Sequence, residues 1–216
     1  MSESDLGPTF TPPPPPRLTL LDPAALDEAQ RDLYSRILGG PRGEQQSEVR
    51  LADEEGRLLG PFGIMLLAPS VGDAVQALGA AIRFQTSMSD RCRELAILTT
   101  AASLSSEFEW DAHVHAARSL GISEPQLEDL SQGRLPVGLA PVEEFTVGLV
   151  QTLASASELS DRDFNEANEN LGHLGLSELV WLVGYYGALA LALRVFGSPS
   201  SPPQNLQEPT GGYLDS

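Results

Sequence analysis

The sequence of 216 residues contains no lysine, and all 13 of its basic residues are arginines. Enzymes that form a Schiff base through lysine are therefore excluded, which removes pyridoxal-phosphate chemistry and the lysine-dependent aldolases. The phosphate-binding loop of nucleotide hydrolases also needs a lysine and is excluded. The 30 acidic residues give a formal charge of −17. We therefore expect neither a nucleic-acid-binding surface nor electrostatic binding to an anionic membrane.

Cysteine and histidine are also scarce. Cys92 is the single cysteine, which excludes an internal disulfide, a Cys-rich zinc site and a dithiol redox centre within one chain. His113 and His115 are two residues apart, so on a helix they point in nearly opposite directions. A helical metal site needs a spacing of four residues. We therefore predict no metal site.

Both ends of the chain are rich in proline and are predicted to be tails. Residues 1–17 are acidic and then proline-rich, and residues 198–216 are rich in Pro, Ser, Gly and Gln. They flank a single predicted domain over residues 18–197. The first tail lacks the basic and apolar regions of a secretory signal, which predicts a cytoplasmic protein. Its run of five prolines, residues 12–16, has an alternative role as a ligand for a proline-binding domain.

Helix signals dominate the predicted domain, and no alternating run of strand length recurs, so we predict an all-α fold. The predicted helices cover residues 23–38, 73–86, 90–104, 106–120, 123–132, 141–154, 160–171 and 177–196. A short hairpin that pairs residues 49–51 with 57–59 is the predicted exception.

The last predicted helix is unusually apolar. Residues 179–193 carry no charge and would span about 22 Å as a helix, less than the ~30 Å hydrocarbon core of a membrane. We predict no membrane span and expect the helix to be buried on all sides. Its small residues permit close approach of another helix, either within the chain or in a second subunit. These small residues are Gly184, Gly187, Ala188, Ala190 and Ala192.

Two carboxylates and one histidine on neighbouring predicted helices suit proton transfer without a cofactor. Glu109 and His113 are four residues apart and share a helix face, so the carboxylate is placed to orient the imidazole. Glu94 lies on the preceding helix among apolar residues, where burial would raise its pKa. Structural roles are the alternatives. Glu109 is able to form a capping box with Ser106. Glu94 is able to serve as an acid in the first turn of its helix, and His113 to be a hydrogen-bonded histidine of the interior.

Three motifs between residues 91 and 121 resemble the signature of the carboxymuconolactone decarboxylase family, which is related to alkyl hydroperoxidase D. They are Arg91-Cys92-Arg93-Glu94-Leu95, Glu109-Trp110-Asp111-Ala112-His113 and Ala117-Arg118-Ser119-Leu120-Gly121. The resemblance implies an all-α bundle of the alkyl hydroperoxidase D type. It also implies catalysis without a cofactor and a homo-oligomer, a trimer or hexamer with a dimer as the alternative.

The hydroperoxidase branch carries two cysteines that this chain lacks. In the family pattern their positions correspond to Ser106 and Glu109, while Glu94 and His113 match. Peroxide reduction through a dithiol is therefore disfavoured, and the resemblance points to the decarboxylase-like branch. It implies a lyase or related proton-transfer enzyme that decarboxylates or isomerises a small oxygenated acid or lactone. A specialised biosynthetic substrate and a cyclase reaction are further possibilities, and a non-catalytic oligomeric binding protein is the alternative.

The resemblance also assigns roles to individual residues. The expected catalytic residues are Glu94, Glu109 and His113, and the expected substrate-binding residues are Arg83, Arg91, Ser106 and Trp110. An arginine matches a substrate carboxylate with two donors. Trp110 has packing in the core as its alternative role. Tyr185 and Tyr186 on the last helix are further sources of a hydroxyl group.

Overall fold

The computed structural model describes residues 10, 14, 17–40, 51–156 and 158–197. Within these residues it contains eight α-helices and no β-strand, which confirms the all-α prediction. The helices are α1 (Glu28–Leu38), α2 (Gly60–Met65), α3 (Pro69–Phe84), α4 (Asp90–Ser103), α5 (Glu107–Ser119), α6 (Glu124–Ser131), α7 (Pro141–Ala156) and α8 (Asp161–Phe196).

The N-terminal helix is shorter than predicted because a second capping residue interrupts it. Pro23–Ala25 forms a single 3₁₀ turn. α1 then begins at Glu28, where Asp27 and Gln30 satisfy each other's backbone amides in a capping box. α3, in contrast, begins at Pro69 instead of residue 73, since a proline in the first helical turn loses no hydrogen bond.

The described part of the predicted hairpin contains a single antiparallel bridge, one residue beyond the predicted first strand. Ala52 and Leu58 form an isolated antiparallel bridge, and the amide of Leu59 donates to the carbonyl of Leu51 at 2.9 Å. Residues 49 and 50 lie outside the described part of the chain. The turn brings Leu58 into the core, where it is 1% exposed.

α4 is the central helix of the bundle. Its residues Leu95, Ile97 and Leu98 are fully buried although they point to different sides of the helix. Ile97 belongs to a core cluster shared with α1, α3 and α8. Leu95 and Leu98 belong to a second cluster, shared with α5, α6 and α7. Burial of each such leucine contributes about 2 kcal/mol, so α4 is held firmly between the two clusters.

α8 consists of two helical segments on either side of a kink, and they correspond to the last two predicted helices. The kink lies at Gly172, whose φ of +67° is in the left-handed region that favours glycine. By length and composition alone α8 is able to cross a membrane, a property it shares with the core helices of many soluble proteins. Leu179, Leu182 and Leu189 pack in the core beneath it.

The expectation that this helix is buried on all sides is wrong for the single chain. One face of α8 is exposed and carries only apolar or small residues, with Trp181 at 61% and Leu191 at 57% exposure. We call this face the α8 stripe; it consists of Leu174, Val180, Trp181, Gly184, Ala188, Leu191 and Val195. Four of these residues are seven positions apart, as in the seam of two packed helices.

Parts of the predicted N-terminal tail contact the helical domain. The ring of Phe10 lies 5.6 Å from the ring of Trp110 on α5. The amide of Arg17 donates to the carbonyl of Phe196 at 2.7 Å. The domain boundary at residue 18 remains a prediction, but Phe10 and Arg17 belong to the packed structure.

Gly72 is expected to be needed for the packing of α3. An alanine Cβ there would lie 2.4 Å from the carbonyl oxygen of Met65 and 2.9 Å from Leu33 Cδ2. Gly72→Ala should therefore lower the free energy of unfolding by about 1–3 kcal/mol, measured by urea denaturation.

Gly148→Ala is the matched control, because nothing lies within 4 Å of a Cβ at this position on α7. There the substitution should raise the free energy of unfolding by about 0.5–1 kcal/mol, since alanine favours the helix interior. Equal effects at the two positions would contradict the packing described for α3.

Candidate active site

Two consecutive helices bring Glu94 and His113 together. α4 and α5 are joined by a tight turn in which Ser105 adopts a positive φ of 52°, a conformation uncommon for residues other than glycine. The chain reverses there, and His113 Nδ1 lies 2.7 Å from Glu94 Oε2 although the residues are 19 positions apart. Each residue is 3% exposed, so the pair is a buried one.

Tyr186 on α8 completes a line of three polar side chains. Its hydroxyl lies 3.2 Å from His113 Nε2, and the two rings meet edge to face with centroids 5.4 Å apart. Tyr186 is itself buried. We call Glu94, His113 and Tyr186 the buried triad; it links three helices through both nitrogens of one imidazole.

The positions of the protons in the buried triad follow from the charge on Glu94. Burial favours the neutral acid, but His113 and Arg83 lower the pKa of Glu94 to below its usual range. An ionised carboxylate only accepts hydrogen bonds, so we assign the proton to His113 Nδ1. In the neutral imidazole Nε2 is then the acceptor, and the Tyr186 hydroxyl donates to it.

A small open cavity of about 30 Å³ lies beside the triad; we call it the pocket. Its walls combine aromatic rings with a few polar groups, the usual composition of a small-molecule site. The polar lining residues are Arg83, Glu109, His113, Tyr185 and Tyr186, and the aromatic lining includes Phe62 and Phe108. The guanidinium of Arg83 lies 5.5 Å from the centroid of the Phe84 ring and brings a positive charge to the pocket lining.

The predicted catalytic residues lie together, but with a different pairing. His113 is hydrogen-bonded to Glu94, not to Glu109, which shares its helix. Glu109 is buried at 3% exposure and lines the pocket next to His113. Ser106 begins α5 without a side-chain capping bond, so its hydroxyl does not form the capping box that was the alternative.

Three of the four predicted substrate-binding residues are not among the residues that line this pocket. Arg91 Nε donates to Glu143 at 2.7 Å, which ties α4 to the start of α7. Trp110 packs in the core with Phe10 against it, and Ser106 is buried in the turn before α5. Of the four, Arg83 alone lines the pocket.

Tyr186 is the site residue that sequence reasoning did not single out. It lies 73 positions from His113, and no spacing rule connects residues so far apart. The sequence does carry a chemical indication of such a residue. A tyrosine in an uncharged helix needs a hydrogen-bond partner for its hydroxyl when the helix is buried. Tyr185 and Tyr186 were both candidates by this argument, and the structure joins Tyr186 to His113.

No group of three or more His, Cys, Asp or Glu side chains in the described ranges is arranged to hold a metal ion. Cys92 is buried on α4 and is not among the pocket residues. The functional groups that the pocket offers are carboxylate, imidazole, phenol and guanidinium.

The middle of the chain matches a known protein family. Residues 69–152 match the family model of the carboxymuconolactone decarboxylase family. This segment runs from the start of α3 into α7 and contains Glu94, Glu109 and His113. No curated protein matches the sequence.

Solved structures share the fold at low sequence identity. The alkyl hydroperoxidase D core of a peroxidase-related protein from Ralstonia eutropha has a TM-score of 0.65 and 16% identity, covering 88% of this chain and 94% of that chain. A peroxidase-related protein from Silicibacter has a TM-score of 0.64 and 12% identity, covering 87% and 93%. A protein of unknown function from Agrobacterium tumefaciens has a TM-score of 0.55 and 19% identity, covering 62% and 92%. At these identities the likeness concerns the fold.

Glu94→Gln is expected to destabilise the fold by about 1–3 kcal/mol at pH 7, because it removes the charge that pairs with His113. The folded-state pKa of Glu94 is below the unfolded value of 4.5. Its stabilisation is therefore present above that value and is lost as the pH falls through the folded pKa. The difference in the free energy of unfolding between wild type and variant should disappear below about pH 4.5. Urea denaturation at a series of pH values measures it.

Leu95→Ala is the control, since it removes buried apolar volume from the same helix and no titrating group. It should cost about 2–5 kcal/mol, with a gap that does not depend on this titration. If the gap for Glu94→Gln is as constant as that for Leu95→Ala, Glu94 is not an ionised partner of His113.

Proposed function

We propose that this chain is a member of the carboxymuconolactone decarboxylase and alkyl hydroperoxidase D-like superfamily and a cofactor-independent proton-transfer enzyme; the family match over residues 69–152 and the shared fold support this. Its substrate is a small oxygenated acid or lactone, and its reaction is a decarboxylation or an isomerisation. The observation that carries the proposal is the buried Glu94–His113 pair beside a pocket that also contains Arg83 and Glu109.

The pocket supplies each element that such a reaction needs. Arg83 lines the pocket, and in the proposed reaction it binds a substrate carboxylate or the oxygen of an enolate, because a guanidinium matches either with charged donors. Loss of CO₂ from a β-keto or vinylogous keto acid leaves its bonding electron pair on the substrate as an enolate, which then takes up a proton on carbon. Glu109 and the His113 pair are the general acid–base groups for that proton.

Isomerisation and cyclisation of a related substrate use the same groups. Each begins with removal of a proton next to a carbonyl group and ends with its return at another atom. The fold does not select among them, so the proposal covers one chemical class: formation and protonation of an enolate next to Arg83 without a cofactor.

Thiol peroxidase chemistry has less support in this chain. Ser106 and Glu109 occupy the positions of the two cysteines in the hydroperoxidase pattern, and Cys92 is buried outside the pocket lining. Two of the solved structures with this fold are described as peroxidase-related, and that description applies to those proteins and not to this chain. A dithiol relay here would need a second thiol, and the sequence has a single cysteine.

The predicted homo-oligomer has a candidate interface in the α8 stripe. Two copies of a chain with a charge of −17 repel each other, so they are best joined where carboxylates are absent. The residues of the stripe are uncharged, and α8 carries no charged residue between Glu178 and Arg194. Gly184 and Ala188 at its middle leave room for a helix of the second copy to approach closely. We propose that a second copy of this chain covers the stripe.

Deuterium incorporation tests the proposed chemistry directly. Incubated in D₂O with a panel of 3-oxo and 4-oxo acids, the wild-type protein should catalyse deuteration next to a carbonyl group. His113→Gln should lower the rate by about 100-fold or more, the usual contribution of a general acid–base group. Nuclear magnetic resonance of the substrate measures the label. A wild-type protein that labels no acid of the panel would favour a binding protein without catalysis.

Two further variants separate the roles of the arginine and the thiol. Arg83→Gln should raise KM for an acidic substrate more than it lowers kcat, whereas Arg134→Gln at the protein surface should change neither. Cys92→Ala should leave the labelling rate unchanged. If it abolishes labelling, a thiol is essential and the proposed mechanism is wrong.

Trp181→Glu tests the α8 stripe. We expect the wild-type protein to sediment as an oligomer and the variant to dissociate, because the new carboxylate would be buried in an apolar interface. Analytical ultracentrifugation measures the mass. Val71→Glu is the matched control, since Val71 is an apolar residue of similar exposure, 63%, on α3. A monomeric wild type, or an oligomer that is unaffected by Trp181→Glu, would contradict the interface.

A further inference from the structure

Neither ring nitrogen of His113 is left for a substrate. Nδ1 is hydrogen-bonded to Glu94 at 2.7 Å and Nε2 lies 3.2 Å from the Tyr186 hydroxyl. An imidazole has no third proton site. A proton that His113 gives to or takes from a ligand in the pocket therefore has to pass through another group.

Tyr186 is the group that connects His113 with the pocket. Its side chain lines the pocket together with His113, and a phenol oxygen has one donor and further acceptor capacity. With its proton directed to Nε2, the oxygen retains lone pairs that can accept a proton. When His113 is protonated instead, Nε2 donates to the same oxygen and the phenol proton is free for a ligand.

We infer that Tyr186 is the catalytic residue that exchanges a proton with the substrate carbon, while Glu94 and His113 act behind it. This inference rests on the proposed function and assigns the proton-transfer step within it. The buried triad has the same order of groups as the carboxylate, imidazole and hydroxyl that activate a serine in hydrolases. Here the terminal group is a phenol, and it transfers a proton instead of attacking as a nucleophile.

The proton balance closes in both directions. In abstraction, the C–H bond next to the carbonyl group breaks and its electron pair forms the enolate. The proton moves to the Tyr186 oxygen while the phenol proton moves to His113 Nε2, which leaves an imidazolium next to the Glu94 carboxylate. In delivery these movements reverse. In decarboxylation, which starts from protonated His113, the C–C bond breaks, its electron pair forms the enolate and CO₂ leaves. The phenol proton of Tyr186 then goes to carbon while Nε2 of the imidazolium passes its proton to the phenol oxygen, and one proton from solvent restores the imidazolium after the product has left.

The electrostatics of the site favour concerted transfer. Burial, and next the charge of Glu109, raise the pKa of Tyr186 well above its usual range, so a free phenolate is disfavoured. The oxygen thus gains one proton as it loses the other. Arg83 has the opposite influence on Tyr186, and it is placed to bind the anionic substrate close to the same hydroxyl.

Tyr186→Phe removes the hydroxyl and keeps the ring that packs against Tyr185 and His113. We expect the deuteration kcat to fall by about 100-fold or more with little change in KM. Tyr34→Phe is the matched control: it removes a phenol that donates to the carbonyl of Gly56, outside the pocket lining, and should leave kcat unchanged. Retention of wild-type kcat in Tyr186→Phe would overturn the inference.

Incorporation of 3-fluorotyrosine at position 186 gives a second readout if the phenylalanine variant does not fold. The fluorine makes the phenol a stronger acid and its oxygen a weaker base, so kcat for labelling should change while KM does not. A hydroxyl with only a structural role would leave kcat unchanged, and such a result would overturn the inference.

The two proposals fail in different ways. If the wild type labels a substrate, Glu94→Gln and His113→Gln lower the rate, and Tyr186→Phe does not, then the proposed function stands and the role of Tyr186 is wrong. If the wild type labels none of the panel, both proposals are rejected together.

Discussion

An ionised carboxylate inside an apolar helical bundle is the constraint on which this structure depends. Desolvation of such a charge costs several kcal/mol unless a well-oriented partner compensates for it. Glu94 is held as an anion by the His113 ring, with further help from the charge of Arg83. This requirement fixes the relative position of α4 and α5, directs the Nδ1 proton of the imidazole to Glu94, and leaves Nε2 to pair with the Tyr186 hydroxyl on a third helix. The arrangement of protons in the site follows from that one buried charge.

Sequence reasoning succeeded where a local signal decides the structure. The capping box of Ser123 and Gln126 correctly marked the start of α6, because capping is settled within four residues. The first helix was predicted as one unit from Pro23 to Leu38, whereas the structure has two caps there: Asp22 caps the 3₁₀ turn and Asp27 caps α1.

The candidate site was predictable in its residues and less so in its contacts. The spacing of four residues favoured a contact between Glu109 and His113, yet spacing describes neighbours on one helix only. The tertiary packing of α4 on α5 brought Glu94 to the imidazole instead. Arg91 and Arg83 were equivalent candidates in the sequence, but the buried Glu143 engages Arg91, a pairing between residues 52 positions apart that no local pattern indicates.

The beginning and the end of the described helical domain are joined by hydrogen bonds. The backbone and side chain of Arg17 both donate to the last turn of α8, at Phe196 and Val195. Fraying at one end therefore removes partners from the other, so the two ends should open as a single unit in hydrogen exchange. Because Arg17 and Phe196 lie so close together, a short covalent linker is able to join the chain at these two residues. Such a linker would lower the entropy of the unfolded chain and leave the pocket unchanged.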